Sequence, residues 1–215
     1  MKYLVVLLSM CLVATAFAQP ARDPAWAREA FQAAAQSLTS FQAMVTDQNF
    51  RQMGFSSPGE VKTATLGPPL PVFMVRLDDL RAYRPGPDAG TLLRDLHKTI
   101  YPVLVNDHVR SSITVERRDN RWQGTSFGAP KLAGLTERAR RASSSARGVS
   151  PDSYVLVHVA ALNRYYLGHR SDGKLMLTMI VDDPALKLSV GQEVAAENAF
   201  QTLVPIAQQH DGRPS

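Results

Sequence analysis

Ser126 is the residue whose setting most suggests chemistry. It stands in Gly124-Thr125-Ser126-Phe127-Gly128, a serine with a glycine two places away on either side. A serine hydroxyl becomes a nucleophile when a histidine takes its proton and a carboxylate orients that histidine. Asp182 or Asp183, then His210, follow in chain order and are of the types those roles need. The remaining chemistry-bearing residues are dispersed. His97, His108, His158, His169 and His210 include no His-x-His and no His-Glu-x-x-His, so no metal site is expected. Asp78-Asp79 and Asp182-Asp183 are paired acids at strand ends. Such pairs can do acid-base work or hold calcium, but neither has calcium-loop spacing, and capping a helix or turn is their commoner use. Arg164-Tyr165-Tyr166 is the densest aromatic-basic cluster, which fits a helix packed on a sheet better than a ligand platform. No Gly-rich phosphate loop occurs, and no cofactor is expected.

The pentapeptide resembles the nucleophile elbow of the α/β-hydrolases. That resemblance implies a serine hydrolase with Ser126 as nucleophile, and it covers five residues. The sequence around it points elsewhere. An elbow strand is buried on both faces and therefore nearly all apolar, whereas this one is approached through Arg117-Arg118-Asp119-Asn120-Arg121. The strands before it read as hairpins, and His210 falls in a polar tail where a fixed geometry is hard to hold. The preferred reading is a glycine-flanked turn feeding a helix from Pro130, with no catalytic residue assigned. An exported serine hydrolase using Ser126 is the alternative.

The chain opens with Lys2, an apolar run from Tyr3 to Ala16, and Ala16-Phe17-Ala18 before Gln19. This is the pattern of a secretory signal peptide cut after Ala18. The run is shorter than the roughly 20 residues a membrane span needs, and Pro20, Arg22 and Asp23 close it. Two other readings stay open: an anchor, and a lipidation box at Leu8-Ser9-Met10-Cys11. Cleavage removes Cys11, the one cysteine of 215 residues, and leaves a chain suited to an oxidising compartment. The net charge of +5 at pH 7 contains no block of five like charges. A nucleic-acid arm is therefore not expected.

These residues must be positioned by elements the pattern also predicts. Residues 19–59 read as a helix from Pro24 to Gln48 and a turn. Residues 60–141 read as a first α+β half: strands at Glu60–Leu66 and Leu70–Leu77, a short helix Leu80–Tyr83, and a helix Ala89–Ile100. A hairpin then turns at Asn106-Asp107, a third strand follows at Arg121–Gln123, and a helix runs Pro130–Arg141. The alternation from Val109 to Arg117 predicts a strand with one face in water. Residues 142–152 are a Ser-rich linker. Residues 153–215 form a second half: strand Tyr154–Val159, short helix Ala160–Leu167, strand Leu175–Val181, and a closing helix Gln192–Gln209 before a polar tail. Phe73–Gly86 aligns with Val155–Gly168, with Val75, Leu80, Tyr83 and Gly86 matching Val157, Leu162, Tyr165 and Gly168. The fold expected is α+β: antiparallel sheets with helices packed on one face, and two related strand-helix halves if this repeat is structural.

The function expected is that of a non-catalytic binding or assembly module, periplasmic or secreted. Its partner would be an unknown protein or envelope component, not nucleic acid. The mature chain would carry no transmembrane segment. N-terminal sequencing of the exported protein is expected to begin at Gln19; an intact Met1 on membrane-bound material would refute cleavage.

Overall fold

The computed structural model describes residues 24–86 and 88–212. The expected signal peptide lies outside them. Helix α1 spans Pro24–Met44. Strands β1 (Thr65–Leu66) and β2 (Leu70–Val75) lead to helix α2 (Leu77–Ala82). Strands β3 (Leu93–Val105), β4 (His108–Arg118) and β5 (Arg121–Phe127) precede helix α3 (Pro130–Arg147). Strands β6 (Val155–Val159), β7 (Arg164–Ser171), β8 (Lys174–Met179) and β9 (Glu193–Ala195) precede helix α4 (Ala196–Gln209). The strands join in one sheet, in the order β5-β4-β3-β2-β6-β7-β8-β9, with β1 paired to β3. Every named pair is antiparallel except β2 and β6, which run parallel at the centre with Val72 beside Leu156 and Phe73 beside Val157.

The fold is α+β, with helices on both faces of the sheet rather than one. Side chains alternate along β6. Val155, Val157 and Val159 point into a core with Ala199, Phe200 and Leu203 of α4. Tyr154 and Leu156 point the other way, to Ala139 of α3. Helix α1 lies on the α4 side, over Tyr101, Val103, Ile113 and Val115. Its buried residues Ala30, Ala33, Ala34, Ser37 and Phe41 recur at helical spacing, and four of them are small, so it sits close to the sheet. Gly124 on β5 is the counterpart: a Cβ there would fall 2.3 Å from Ser37 Oγ. Gly128 has φ +106 at the bend into α3, a conformation few other residues tolerate. Close helix approach and positive φ thus account for both glycines of the pentapeptide.

Several elements differ from the sequence reading, each for a local reason. Ala89–Ile100 is a 3-10 turn followed by strand. A register shift in β3 between Asp95 and Lys98, opposite Val72 and Phe73, bulges out Leu96 and His97, the latter at φ 52. The bulge gives Leu92, Leu93, Leu96 and Ile100 a helix-like spacing within a β segment. Glu60–Leu66 is mostly 3-10 turn, with only Thr65–Leu66 in a strand. The polar face of β4 is not in water, because Ser112 and Thr114 lie under α3 and Ser112 Oγ donates to Gly128 O at 2.6 Å. Residues 142–147 of the expected linker continue α3 to its stop at Gly148, φ +67. Ala160–Leu167 is a tight turn at Asn163, φ 48, followed by β7. The aligned repeat therefore diverges after its first strand. Val75 and Val157 share one core, but Leu80 is fully buried on α2 while Leu162 is part-buried in the turn.

Helix α3 is fixed by charge. Arg140 is 1% exposed. Its Nε donates to Glu137 Oε2 at 2.9 Å, and its Nη1 donates to Pro68 O at 3.2 Å and Pro69 O at 3.1 Å. Removing Arg140 would leave buried Glu137 with the exposed Arg141 as its ion-pair partner and take the donor from the Pro68 and Pro69 carbonyls. Arg140→Met is expected to lower unfolding free energy by about 3 kcal/mol in urea titrations. Adding Glu137→Leu should recover part of that loss, and a double variant no more stable than the single one would show the pair is not what matters.

Candidate functional site

A concavity lined mainly by aromatic and apolar residues lies on the α1 side of the sheet. Trp26, Ala27, Ala30 and Phe31 of α1 form one wall. Tyr101 and Thr99 of β3 and Pro71 of β2 form the floor. Pro69, Trp122 and Asp152 complete a groove of about 410 Å³. That is within the roughly 300–1,000 Å³ usual for ligand sites. The rings brace one another: Phe31 meets Tyr101 edge-on at 6.2 Å, and Trp26 meets His97 edge-on at 5.7 Å. The Arg117 guanidinium lies 4.2 Å from the centre of the Trp26 ring, within cation–π range. Phe31 is 53% exposed, unusual for so large an apolar side chain.

The groove's position follows from the backbone. Gly67 N donates to Pro102 O at 2.8 Å, and the next two residues, Pro68 and Pro69, have no N–H to continue a ladder. Their carbonyls turn instead to Arg140 on the other face. The Pro69 and Pro71 rings are thereby presented to the aromatic wall. Sequence reasoning missed this site because its residues come from five separated segments with no common motif. The nearest local signal is Trp26 on the apolar stripe of α1, which reads equally well as core.

The residues singled out in the sequence are not brought together. Ser126 is exposed on edge strand β5, paired with Thr114. It borders a small cavity under α3, about 120 Å³, with Leu70, Ile100, Leu132 and Arg140 in a lining that contains no histidine. Asp183 and His210 belong to the other half. Asp183 is buried, accepting from Tyr166 Oη at 2.7 Å and pairing with Arg164. It also accepts from Ala185 N at 3.1 Å. Burial pushes its pKa up, but the Tyr166 and Arg164 hydrogen bonds and the Arg164 charge outweigh this and hold it below the usual carboxylate range. The same burial and hydrogen bond push the Tyr166 phenol far up. Arg164-Tyr165-Tyr166 therefore lies on a strand rather than a helix, with Tyr165 stacked on His158 at 4.1 Å. Asp182 accepts from Val190 N at 2.8 Å. Asp78 and Asp79 lie in the first turn of α2, paired with Arg81 at 3.2 Å and Arg94 at 3.1 Å. His97 is on the β3 bulge, His108 begins β4, and His210 follows α4. Among the described residues no three metal-ligating side chains cluster.

Comparison with protein-family models, curated proteins and solved structures finds no match. What the fold and the groove define is a class: an α+β protein with an aromatic, mostly apolar cleft. Among the described residues no helix is long and apolar enough to cross a membrane.

A second buried cluster sets the pH response. His169 is 1% exposed, with its ring 5.0 Å from that of Tyr154. Its Nδ1 lies 3.7 Å from Glu193 Oε2, and neither ring nitrogen makes a hydrogen bond. Burial holds its pKa below the ordinary value; Glu193 pulls it back up and Arg147 pushes it further down. Burial lowers His158 as well. Both imidazoles take up protons more readily in the unfolded chain, so they cost stability as pH falls below about 6.5. Unfolding free energy is expected to decline from about pH 7 to pH 5, and His158→Gln/His169→Gln should flatten that slope in urea titrations at each pH. An unchanged slope would rule these histidines out. Asp183, lowered in the folded state, contributes only to a later loss near pH 4 and below.

Proposed function

We propose that this chain is exported and acts as a non-catalytic binding module, holding an extended apolar polypeptide segment of a partner in the aromatic groove. The observation that carries the reading is the groove itself: two tryptophans, a tyrosine, an exposed phenylalanine and two prolines around about 410 Å³. Such a lining offers ring faces more than hydrogen-bond donors. Proline-rich segments suit it, because they enter an aromatic groove already extended and lose little conformational entropy. Asp152 is the one charged residue of the lining. A basic side chain beside the apolar run would complement it.

The test is a fluorescence titration following Trp26 and Trp122, with a proline-rich decapeptide carrying one arginine. Saturable binding is expected, weakened about tenfold or more by Trp26→Ala or Phe31→Ala. Asp152→Asn should weaken binding of the arginine peptide and leave its glutamine counterpart unchanged. Binding that Trp26→Ala and Phe31→Ala do not alter would remove the groove from consideration. Stoichiometric fluorophosphonate labelling at Ser126 would support the hydrolase reading instead.

A further inference from the structure

On the opposite face, three arginines converge on a cleft that the proposed binding groove does not use. Gly134, Arg138 and Arg141 are four and three residues apart on α3, hence on one stripe of the helix. His108, Val109 and Arg110 open β4, where Val109 stands opposite Leu104 and Ser111 opposite Val103, leaving Arg110 as an extra, bulged residue. The helix stripe and this bulged strand end line a cleft of about 270 Å³ between α3 and the β3–β4 turn. Two of the arginines are held in place. Arg141 donates Nε to Glu137 Oε1 at 2.9 Å and Nη2 to Asp107 O at 2.8 Å. Arg110 pairs with Glu60 at 2.7 Å, leaving its buried Nε without a partner. Asn106 and Asp107, at φ 50 and 61, form the tight turn that brings the Asp107 carbonyl to Arg141. Arg138 differs from both: it makes no hydrogen bond or ion pair among the described residues. Its Nη1 lies 3.6 Å from where a Gly134 Cβ would stand, so the guanidinium folds back along the cleft wall.

Four arginines stand against three carboxylates here: Glu137 is shared between Arg140 and Arg141, Glu60 is paired with Arg110, and Asp107 also lines the cleft. Arg138 is exposed, and a planar guanidinium open to solvent in a cleft is matched to a tetrahedral oxyanion, which it can hold through two parallel hydrogen bonds. We propose that this cleft binds a phosphoryl group, with Arg138 as its principal donor and Arg110 and Arg141, each held in place by a carboxylate, flanking it. The shared chemistry is the phosphate oxygens, borne either by a small soluble phosphate or by a lipid headgroup.

The test uses the full exported chain at low ionic strength. Inorganic phosphate and pyrophosphate are titrated calorimetrically, and cosedimentation is measured with phosphatidic acid vesicles against phosphatidylcholine vesicles. Arg138→Gln is compared with Arg28→Gln, which removes one charge from the exposed side of α1. Phosphate binding that Arg138→Gln weakens about tenfold, and Arg28→Gln leaves within about twofold, supports the site. With no vesicle binding the source is soluble; with phosphatidic acid binding lost in Arg138→Gln, it is a headgroup. Binding of neither probe overturns the proposal. So does equal weakening by both variants, or vesicle binding without phosphate binding, since diffuse surface charge would then suffice. Because no groove residue is altered, these outcomes are independent of the peptide titration.

Discussion

A guanidinium with almost no exposure cannot stay buried unless its donors are used, since desolvating an ion costs several kcal/mol. Arg140 meets that demand with Glu137 on its own helix and the carbonyls of Pro68 and Pro69 across the interface. Each side needs the other. The two prolines have carbonyls but no N–H, so a regular ladder cannot occupy them, and Arg140 supplies the missing donors. One side of the Gly-Pro-Pro segment is therefore fixed by charge to α3, and the other becomes the wall of the aromatic groove. The groove depends on an ion pair on the far side of the sheet.

The two faces of the sheet are built differently. Under α1 and α4 the buried set is mostly apolar, with Ser37 and Thr99 among its few polar members. Under α3 the buried set includes Ser112, Thr136, Glu137, Ser143 and His169, joined by bonds such as Tyr154 Oη to Ser143 Oγ at 2.9 Å. Apolar packing tolerates small slides; hydrogen-bonded contacts are satisfied in one register only. Helix α3 is thus placed by its polar bonds, and the helices on the other face by shape and area.

This division explains what could be read in the sequence. Elements with a single clean period were legible: α1 through its alanine and phenylalanine stripe, β4 through its alternation, β6 through its valines, α4 through its apolar face. The α+β class followed from these. Misreadings fell where an irregular residue broke the period. The His97 bulge gave β3 a helical rhythm, and the turn at Asn163 disguised β7 as helix. The Ser-rich stretch of α3 looked like a linker because its buried face is polar. Nor was the groove legible, since Trp26, Pro69, Tyr101, Trp122 and Asp152 are neighbours only once β2 and β3 pair and α1 lies across them. Ser126 stood out because glycines flank it, and those glycines serve helix approach and a backbone turn.

The parallel pair at the centre of the sheet sets an order of assembly. Strand β2 finds β3 soon after it is made, through local antiparallel pairing. Its other neighbour, β6, does not exist until β3, β4, β5 and α3 have all been synthesised. Contacts of such separation close late, after nearer ones have formed. Through that interval the outer edge of β2 offers unpaired backbone groups in an apolar stretch, the kind of edge that recruits foreign strands. The mid-line of the finished molecule, its most protected region, is thus the seam at which the growing chain is most exposed to misassociation.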